Sequence, residues 1–104
     1  MKRVVITGAG TINALGRNVD STLEAMREGR CGIGQLAFPD VGRLSVQSGG
    51  QVQDFAPETL FNRQQMSLYD RFTQFTLIAA REAIAQSGLE FSGATAARSG
   101  VILG

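Results

Sequence analysis

Hydrophobic residues are concentrated near the two ends of the chain and along one central segment, with polar and glycine-rich stretches between them. Near the N-terminus, Val4, Val5 and Ile6 form an unbroken apolar run that leads into a glycine-containing loop. Such a run is typical of a strand buried on both faces of a parallel sheet. The final segment, 99–104, is similarly apolar, and we expect a second buried strand there.

The first helical pattern covers Asn18 to Gly29. A cap is predicted at Asp20 or Ser21, with Glu24 completing a capping box from Ser21. Gly29 is expected to end the helix in the left-handed conformation. Between this helix and the central segment the signals are weaker. They indicate an edge strand over 46–52 and a brief helix with a proline, Pro57, at its first position.

The strongest helical pattern runs from Tyr69 to Ser87, beginning at Ser67 or Asp70 and ending at Gly88. Its apolar arc contains three alanines, which would let a neighbouring element come close. Two apolar side chains intrude into the polar arc, so the helix is expected to pack on more than one side. The polar arc consists of Asp70, Arg71, Gln74, Arg81, Glu82 and Gln86, of which Arg71, Gln74 and Arg81 are expected to face solvent. A strand, a long helix and a second strand predict the right-handed crossover unit of a parallel sheet.

The glycine loop after the first apolar run invites comparison with nucleotide-binding loops. The dinucleotide fingerprint G-x-G-x-x-G requires glycine where this chain has Asn13, and no Gly-Lys-Ser/Thr step of a P-loop is present. No helical pattern starts directly after the loop, so no helix N-terminus would face a pyrophosphate. We interpret the glycines as serving a tight turn. A nucleotide-dependent oxidoreductase remains the weaker alternative.

Composition is that of a globular protein, with 43% hydrophobic residues, 18% charged residues and a net charge of +1. This balance gives no reason to expect binding to nucleic acid or a membrane surface, and no apolar run approaches the ~20 residues of a membrane span. The chain has no histidine, so a histidine base or metal ligand cannot come from it. The single cysteine, Cys31, is consistent with the cytoplasm and is better interpreted as a packing residue than as a nucleophile.

Several segments, taken in order, match the pattern of a known family. They are Arg3–Gly10 with Leu15–Gly16, Met26–Ile33, Tyr69–Phe72 leading into Ala79–Ile84, Ser87–Leu89, and Arg98–Val101. Through them the chain resembles the N-terminal part of the β-ketoacyl-acyl-carrier-protein synthases of the elongating type, which have a thiolase-like fold. The resemblance covers essentially all 104 residues.

The resemblance implies an α/β chain that forms the opening part of a thiolase-like αβαβα layered fold. Residues 1–104 would be the N-terminal portion of the ketoacyl synthase N-terminal domain, with the rest of that domain and the C-terminal domain outside this sequence. The implied activity is acyl transfer that elongates a chain by decarboxylative Claisen condensation with malonyl-acyl-carrier-protein, in fatty-acid or polyketide-like synthesis. The family's nucleophilic cysteine and two histidines come later in the chain, so no catalytic residue, cofactor or metal site is expected here.

The resemblance also implies partners for the whole enzyme: acyl carrier protein, acyl and malonyl thioesters, and a second synthase subunit in a homodimer or heterodimer. Relatives often carry several basic residues just before the long helix, where they help to dock the acidic carrier protein. In this chain the stretch 62–68 has Arg63 as its only basic residue, so Arg63 is the possible carrier-protein contact. The main alternative is a non-catalytic, synthase-like partner subunit, which the residue at the downstream nucleophile position would distinguish.

Overall fold

The structure is a computed structural model that describes residues 1–104 as a mixture of helices and strands. In chain order the elements are α1 (Val19–Arg27), β1 (Ile33–Gln35), a 3-10 turn (Val41–Arg43), β2 (Ser48–Gly50), a second 3-10 turn (Pro57–Thr59), α2 (Arg63–Leu68), α3 (Arg71–Ser87) and α4 (Gly93–Ala97). The arrangement is open, with a radius of gyration of 17.0 Å. A compact domain of this length has a radius of about 13 Å. Only Ala25, Phe61 and Gln74 are buried.

Helix α1 is capped two or three residues earlier than predicted. Asn18, in extended conformation, accepts a hydrogen bond from the Ser21 N–H at 2.8 Å, and the Ser21 hydroxyl oxygen lies 3.3 Å from the Asn18 nitrogen. This is a capping box, so the prediction of Asp20 or Ser21 as the cap is wrong. The predicted end is confirmed, because Gly29 follows the helix with φ of 68°.

Helix α3 begins and ends as predicted. The Asp70 carboxylate accepts a hydrogen bond from the Thr73 N–H at 2.8 Å, and Gly88 follows the helix with φ of 66°. The expectation that Gln74 faces solvent is wrong, because this residue is only 5% exposed. Its side-chain amide donates to the Tyr69 carbonyl oxygen at 3.1 Å, and this bond allows the polar group to be buried.

The segment around Gly8 and Gly10 lies directly against α3. A Cβ added at Gly10 would lie 2.8 Å from the carbonyl carbon of Ala79, and one at Gly8 would lie 3.0 Å from that of Ala83. Both would be closer still to the carbonyl oxygens, so only glycine permits this approach. The small residues of α3 do admit a close neighbour, as predicted, and the glycines have a structural role.

Hydrogen bonds to α3 side chains fix this segment along the helix. The Glu82 carboxylate accepts from the Thr11 N–H at 2.9 Å and from the Val19 N–H, the first of α1, at 3.0 Å. The Ala9 N–H donates to the Gln86 side-chain oxygen at 2.6 Å. Glu82 thereby joins the glycine segment, the start of α1 and the middle of α3.

Aromatic side chains pack on another side of α3. Phe55 and Phe75 meet edge to face with ring centres 5.0 Å apart, and Phe61 and Tyr69 do so at 5.9 Å. Helix α3 therefore has neighbours on more than one side, as its amphipathic pattern predicts.

A two-stranded antiparallel sheet forms between β1 and β2, with Ile33 opposite Gly50 and Gln35 opposite Ser48. The predicted edge strand over 46–52 is present in shorter form. Strand β1 was not predicted, because residues 31–34 have the glycines of a loop, yet Ile33 and Gly34 lie in the strand. The central pair is Gly34 opposite Gly49, so neither strand has the alternating side chains that would reveal it in the sequence.

The two predicted terminal strands are absent. Val4 and Ile6 are 96% and 92% exposed, and Ile102 is 98% exposed, with neither segment paired to another strand. A strand needs a hydrogen-bonded neighbour, and the chain supplies none at either end. The predicted crossover unit is therefore not formed within residues 1–104. No helix has the length and apolar character needed to cross a membrane.

Candidate functional site

The candidate site is the surface of α2 and the first part of α3, where the predicted contact Arg63 lies. The Asn62 side chain accepts from the Gln65 N–H at 2.8 Å, and the Gln65 side chain accepts from the Asn62 N–H at 3.0 Å. This capping box starts α2 at Arg63, a helix that we did not predict although the Asn-x-x-Gln spacing is visible in the sequence. The Arg63 side chain is exposed and forms no ion pair.

Two further arginines near this site are supported by aromatic rings. The Arg71 guanidinium carbon lies 4.8 Å from the centre of the Phe55 ring and 5.8 Å from that of Phe75. The Arg81 guanidinium carbon lies 5.3 Å from the centre of the Phe61 ring. Neither arginine forms an ion pair. Cation–π contact stabilises these guanidinium positions modestly and leaves the hydrogen-bond donors of the groups free. Both arginines are exposed, as predicted. Their ring contacts were not predicted, although Arg71 and Phe75 are spaced by one helical turn.

Asp70 adds a fixed negative charge beside Arg71 in the chain. Hydrogen bonds, first from the Thr73 backbone N–H and then from the Thr73 hydroxyl, hold the pKa of the Asp70 carboxyl below its usual value of 3.8. The carboxylate is therefore ionised at neutral pH, at the positive end of the α3 dipole.

The glycine loop is organised by Asn13, the residue that breaks the dinucleotide fingerprint. Its side-chain oxygen accepts from the N–H groups of Leu15 and Gly16 at 2.8 and 3.1 Å. Its side-chain nitrogen donates to the hydroxyls of Thr11 and Thr22, both at 3.0 Å. The loop thus satisfies these groups internally, including two N–H groups that a phosphate-binding loop would turn toward its ligand.

Cys31 is exposed, so its interpretation as a packing residue is wrong for this structure. The Ile33 N–H donates to the Cys31 sulfur at 3.4 Å. The neighbouring Arg30 is paired with Glu28 at 2.8 Å, and both side chains are half exposed. No side chain that could act as a base is hydrogen-bonded to the thiol.

The structure also shows no group of three or more histidine, cysteine, aspartate or glutamate residues that could hold a metal ion.

Comparison with known proteins places these features in a family. Residues 1–104 match the family model described as the beta-ketoacyl synthase, N-terminal domain. The chain is 37% identical over 103 residues to 3-oxoacyl-(acyl-carrier-protein) synthase 2 of Staphylococcus aureus (strain N315). It is 38% identical over 103 residues to nodulation protein E of Rhizobium sp. (strain N33). Each alignment covers 99% of this chain and 25% of the relative, so the chain spans about a quarter of the length of these curated relatives.

Proposed function

The chain belongs to the β-ketoacyl synthase family, and on this basis we propose that it is the opening portion of an acyl-chain-elongating condensing enzyme. The reaction is decarboxylative Claisen condensation with malonyl-acyl-carrier-protein, in fatty-acid or polyketide-like synthesis in the cytoplasm. The observation that carries this proposal is the family match over residues 1–104, which agrees with the 37% identity to a 3-oxoacyl-(acyl-carrier-protein) synthase. The partners of the whole enzyme would be acyl carrier protein, its acyl and malonyl thioesters, and a second synthase subunit.

Under this proposal, residues 1–104 are the N-terminal portion of the synthase N-terminal domain, within a thiolase-like αβαβα fold. Helix α3 would be the helix of the central layer. Its contacts with Gly8 and Gly10 on one side and with Phe55 on another support that position. Val4–Ile6 and Val101–Leu103 would be sheet strands whose neighbours come from the rest of the protein. Their exposed apolar side chains support this placement, because such side chains require cover.

The residues of this chain would provide scaffold and no reacting group. The condensation requires a nucleophile that holds the acyl group as a thioester and groups that stabilise the enolate formed when malonyl loses carbon dioxide. The chain has no histidine, and its one thiol is exposed without a neighbouring base. Both kinds of group would therefore come from the remainder of the enzyme.

The direct test of this function uses the full-length gene product with labelled acyl-acyl-carrier-protein and malonyl-acyl-carrier-protein. We expect a condensation product and a transient acyl label on a cysteine outside residues 1–104. Cys31→Ser should retain both the label and the product. Labelling that is lost in Cys31→Ser would contradict the proposal. Absence of any acylation would favour the non-catalytic partner subunit.

We further propose that Arg63 contacts the acidic carrier protein weakly. Its side chain is exposed and unpaired, and one exposed ion pair contributes about 0–1 kcal/mol, reduced further by salt. Arg63→Ala in the full-length enzyme should raise the KM for acyl carrier protein a few-fold, with an effect that fades at high salt. Steady-state kinetics at two ionic strengths would measure this.

Arg43→Ala is a matched control for the Arg63 experiment, since Arg43 is also exposed and unpaired but lies in the first 3-10 turn. It should leave the KM unchanged. A hundredfold rise in the KM for acyl carrier protein in Arg63→Ala that persists at high salt would contradict weak contact. It would show that Arg63 is buried in the complex as an anchor. Stranding the partner of such an anchor costs roughly 2–5 kcal/mol.

A further inference from the structure

Gln74 is the one buried polar residue of the chain, and its side chain lies at the junction between α2 and α3. The side-chain nitrogen donates to the Tyr69 carbonyl oxygen at 3.1 Å. The same nitrogen lies 3.8 Å from the sulfur of Met66, a residue of α2. Residues 1–104 themselves supply this burial and both contacts. The amide of Gln74 therefore joins the first part of α3 to the end of α2.

Helix α2 needs support from outside itself to hold a fixed direction. It has six residues, whereas isolated helices shorter than ~12 residues are marginal in water. The Tyr69 N–H still donates to the Gln65 carbonyl at 2.8 Å, but Tyr69 is extended, with ψ of 121°, so the chain leaves the helical path between α2 and α3. Gln74 makes the only side-chain hydrogen bonds that join α2 and Tyr69 to α3.

A ring contact provides the second support of this junction. Phe61 is 4% exposed, and its ring meets the Tyr69 ring edge to face with the centres 5.9 Å apart. Tyr69 is thus held at its carbonyl by Gln74 and at its ring by Phe61. Arg63 lies six positions before Tyr69, about 9 Å along the helix, so a tilt of about 20° would move it by roughly 3 Å. A displacement of that size is enough to break an ion pair.

We propose that Gln74 is a positioning residue, which orients α2 and thereby places the Arg63 guanidinium for contact with the acidic carrier protein. This inference rests on the proposed carrier-protein contact of Arg63. A buried amide is costly unless it is hydrogen-bonded, so Gln74 favours the arrangement in which the Tyr69 carbonyl lies beside it. Arg63 itself does not stabilise α2, because a cation in the first turn opposes the helix dipole.

The test measures the Kd of the full-length gene product for fluorescently labelled acyl carrier protein, by anisotropy at low and at high ionic strength. Gln74→Met keeps the length of the side chain and removes the donor. At low ionic strength it should raise the Kd by up to about fivefold, the upper range for one exposed ion pair. The difference should fade at high salt although residue 74 carries no charge, because the lost contact is that of Arg63. The double variant with Arg63→Ala should bind no more weakly than Arg63→Ala alone.

Gln86→Met is the matched control, because it makes the same substitution elsewhere on α3. The Gln86 side-chain oxygen accepts from the Ala9 N–H at 2.6 Å and makes no hydrogen bond to α2. This variant should leave the Kd unchanged. Hydrogen exchange followed by mass spectrometry should be faster over residues 66–69 in Gln74→Met and unchanged there in Gln86→Met. Phe61→Leu, which removes the ring contact and keeps Gln74, is a second variant of the junction and should weaken binding in the same salt-dependent way.

The outcomes separate this inference from the functions on which it rests. If Arg63→Ala weakens binding but Gln74→Met does not, the Arg63 contact stands and the positioning role is overturned. An effect of Gln74→Met that persists at high salt, or that adds to the effect of Arg63→Ala, would also overturn it. An unchanged Kd in Arg63→Ala would remove the carrier contact and this inference together. Failure to condense substrates would bear on the proposed synthase activity alone, since the Kd is measured without turnover.

Discussion

The region around α3 and the two terminal segments are both rich in apolar and small residues. They differ in whether their backbone N–H and C=O groups have hydrogen-bond partners. The N–H groups of Ala9 and Thr11 find acceptors on α3, and Gly10 lets the two backbones approach closely. Val4 and Ile102 are almost fully exposed, and neither lies in a strand that is hydrogen-bonded to another strand. The comparison shows that an apolar run does not make a strand by itself, whereas a helix can form from its own hydrogen bonds and caps.

The largest expected effect concerns the chain of 104 residues expressed alone, which should show no cooperative unfolding transition. Its surface of 8440 Å² exceeds the roughly 5,700 Å² expected for a folded monomer of this mass, and only three of its residues are buried. Hydrophobic burial is therefore too small to offset the conformational entropy of folding. Calorimetry and size-exclusion chromatography would measure this. A sharp thermal transition from a monomer would contradict it and would show that the terminal segments need no further cover.

Substitution of Gly10 should disrupt the packing of the glycine segment on α3 in the full-length protein. A Cβ at this position overlaps the Ala79 carbonyl, and the rigid backbone of α3 cannot move aside easily. Gly10→Ala should lower the free energy of unfolding by about 3 kcal/mol or more. Denaturant unfolding would measure the change. Gly42→Ala is the matched control, because a Cβ there meets no atom within 4 Å and its effect should stay within about 0.5 kcal/mol. Equal stability of the two variants would show that the glycine segment does not pack on α3 in the whole protein.

The same contrast explains which parts of the fold the sequence predicts. The bounds of α3 were predictable because Asp70 and Gly88 act on neighbouring residues, through a side-chain cap and a left-handed φ. The terminal strands were not formed, since a strand depends on a neighbour that sequence periodicity does not supply. Between these extremes, β2 was predicted in part and β1 was missed, because a pair of glycines at their centre leaves no side-chain pattern.

The candidate site was less predictable than the helices. Arg63 was identified as a possible carrier-protein contact through family resemblance. The resemblance does not predict which atoms of this chain the Arg63 side chain contacts. Arg71 is exposed, as expected, but its contact with the Phe55 ring was not predicted because it depends on packing between residues 16 positions apart. Gln74 was misplaced because a helical wheel does not show that the Tyr69 carbonyl is available to pair with a buried amide.

Removal of the Glu82 carboxylate should have a smaller effect. It tests only the hydrogen bonds that join the glycine segment and the start of α1 to α3. Glu82→Ala would leave the partly buried N–H groups of Thr11 and Val19 without their acceptor. In the full-length protein this should lower the free energy of unfolding by about 1–3 kcal/mol. Glu24→Ala, in α1 and exposed, is the matched control and should change it by no more than about 0.5 kcal/mol. If Glu82→Ala were no more damaging than the control, the link would be dispensable.

The smallest expected effect is a pH dependence at the start of α3, where Asp70 forms the cap. The pKa of this exposed carboxyl is lowered in the folded state, because the Thr73 N–H and hydroxyl bind its ionised form. A lowered folded pKa means that the stabilisation is fully present above the unfolded value and is lost as the pH falls through the folded value. Since the ordinary value is 3.8, wild type should be slightly more stable than Asp70→Asn at pH 7, and the difference should shrink below pH 3.8. Asparagine preserves the capping hydrogen bond, so the comparison isolates the charge. Melting temperatures of both proteins from pH 7 to pH 3, together with an NMR titration of Asp70, would measure it. A titration midpoint at or above 3.8, or a difference in melting temperature that does not change with pH, would show that the cap does not favour the carboxylate.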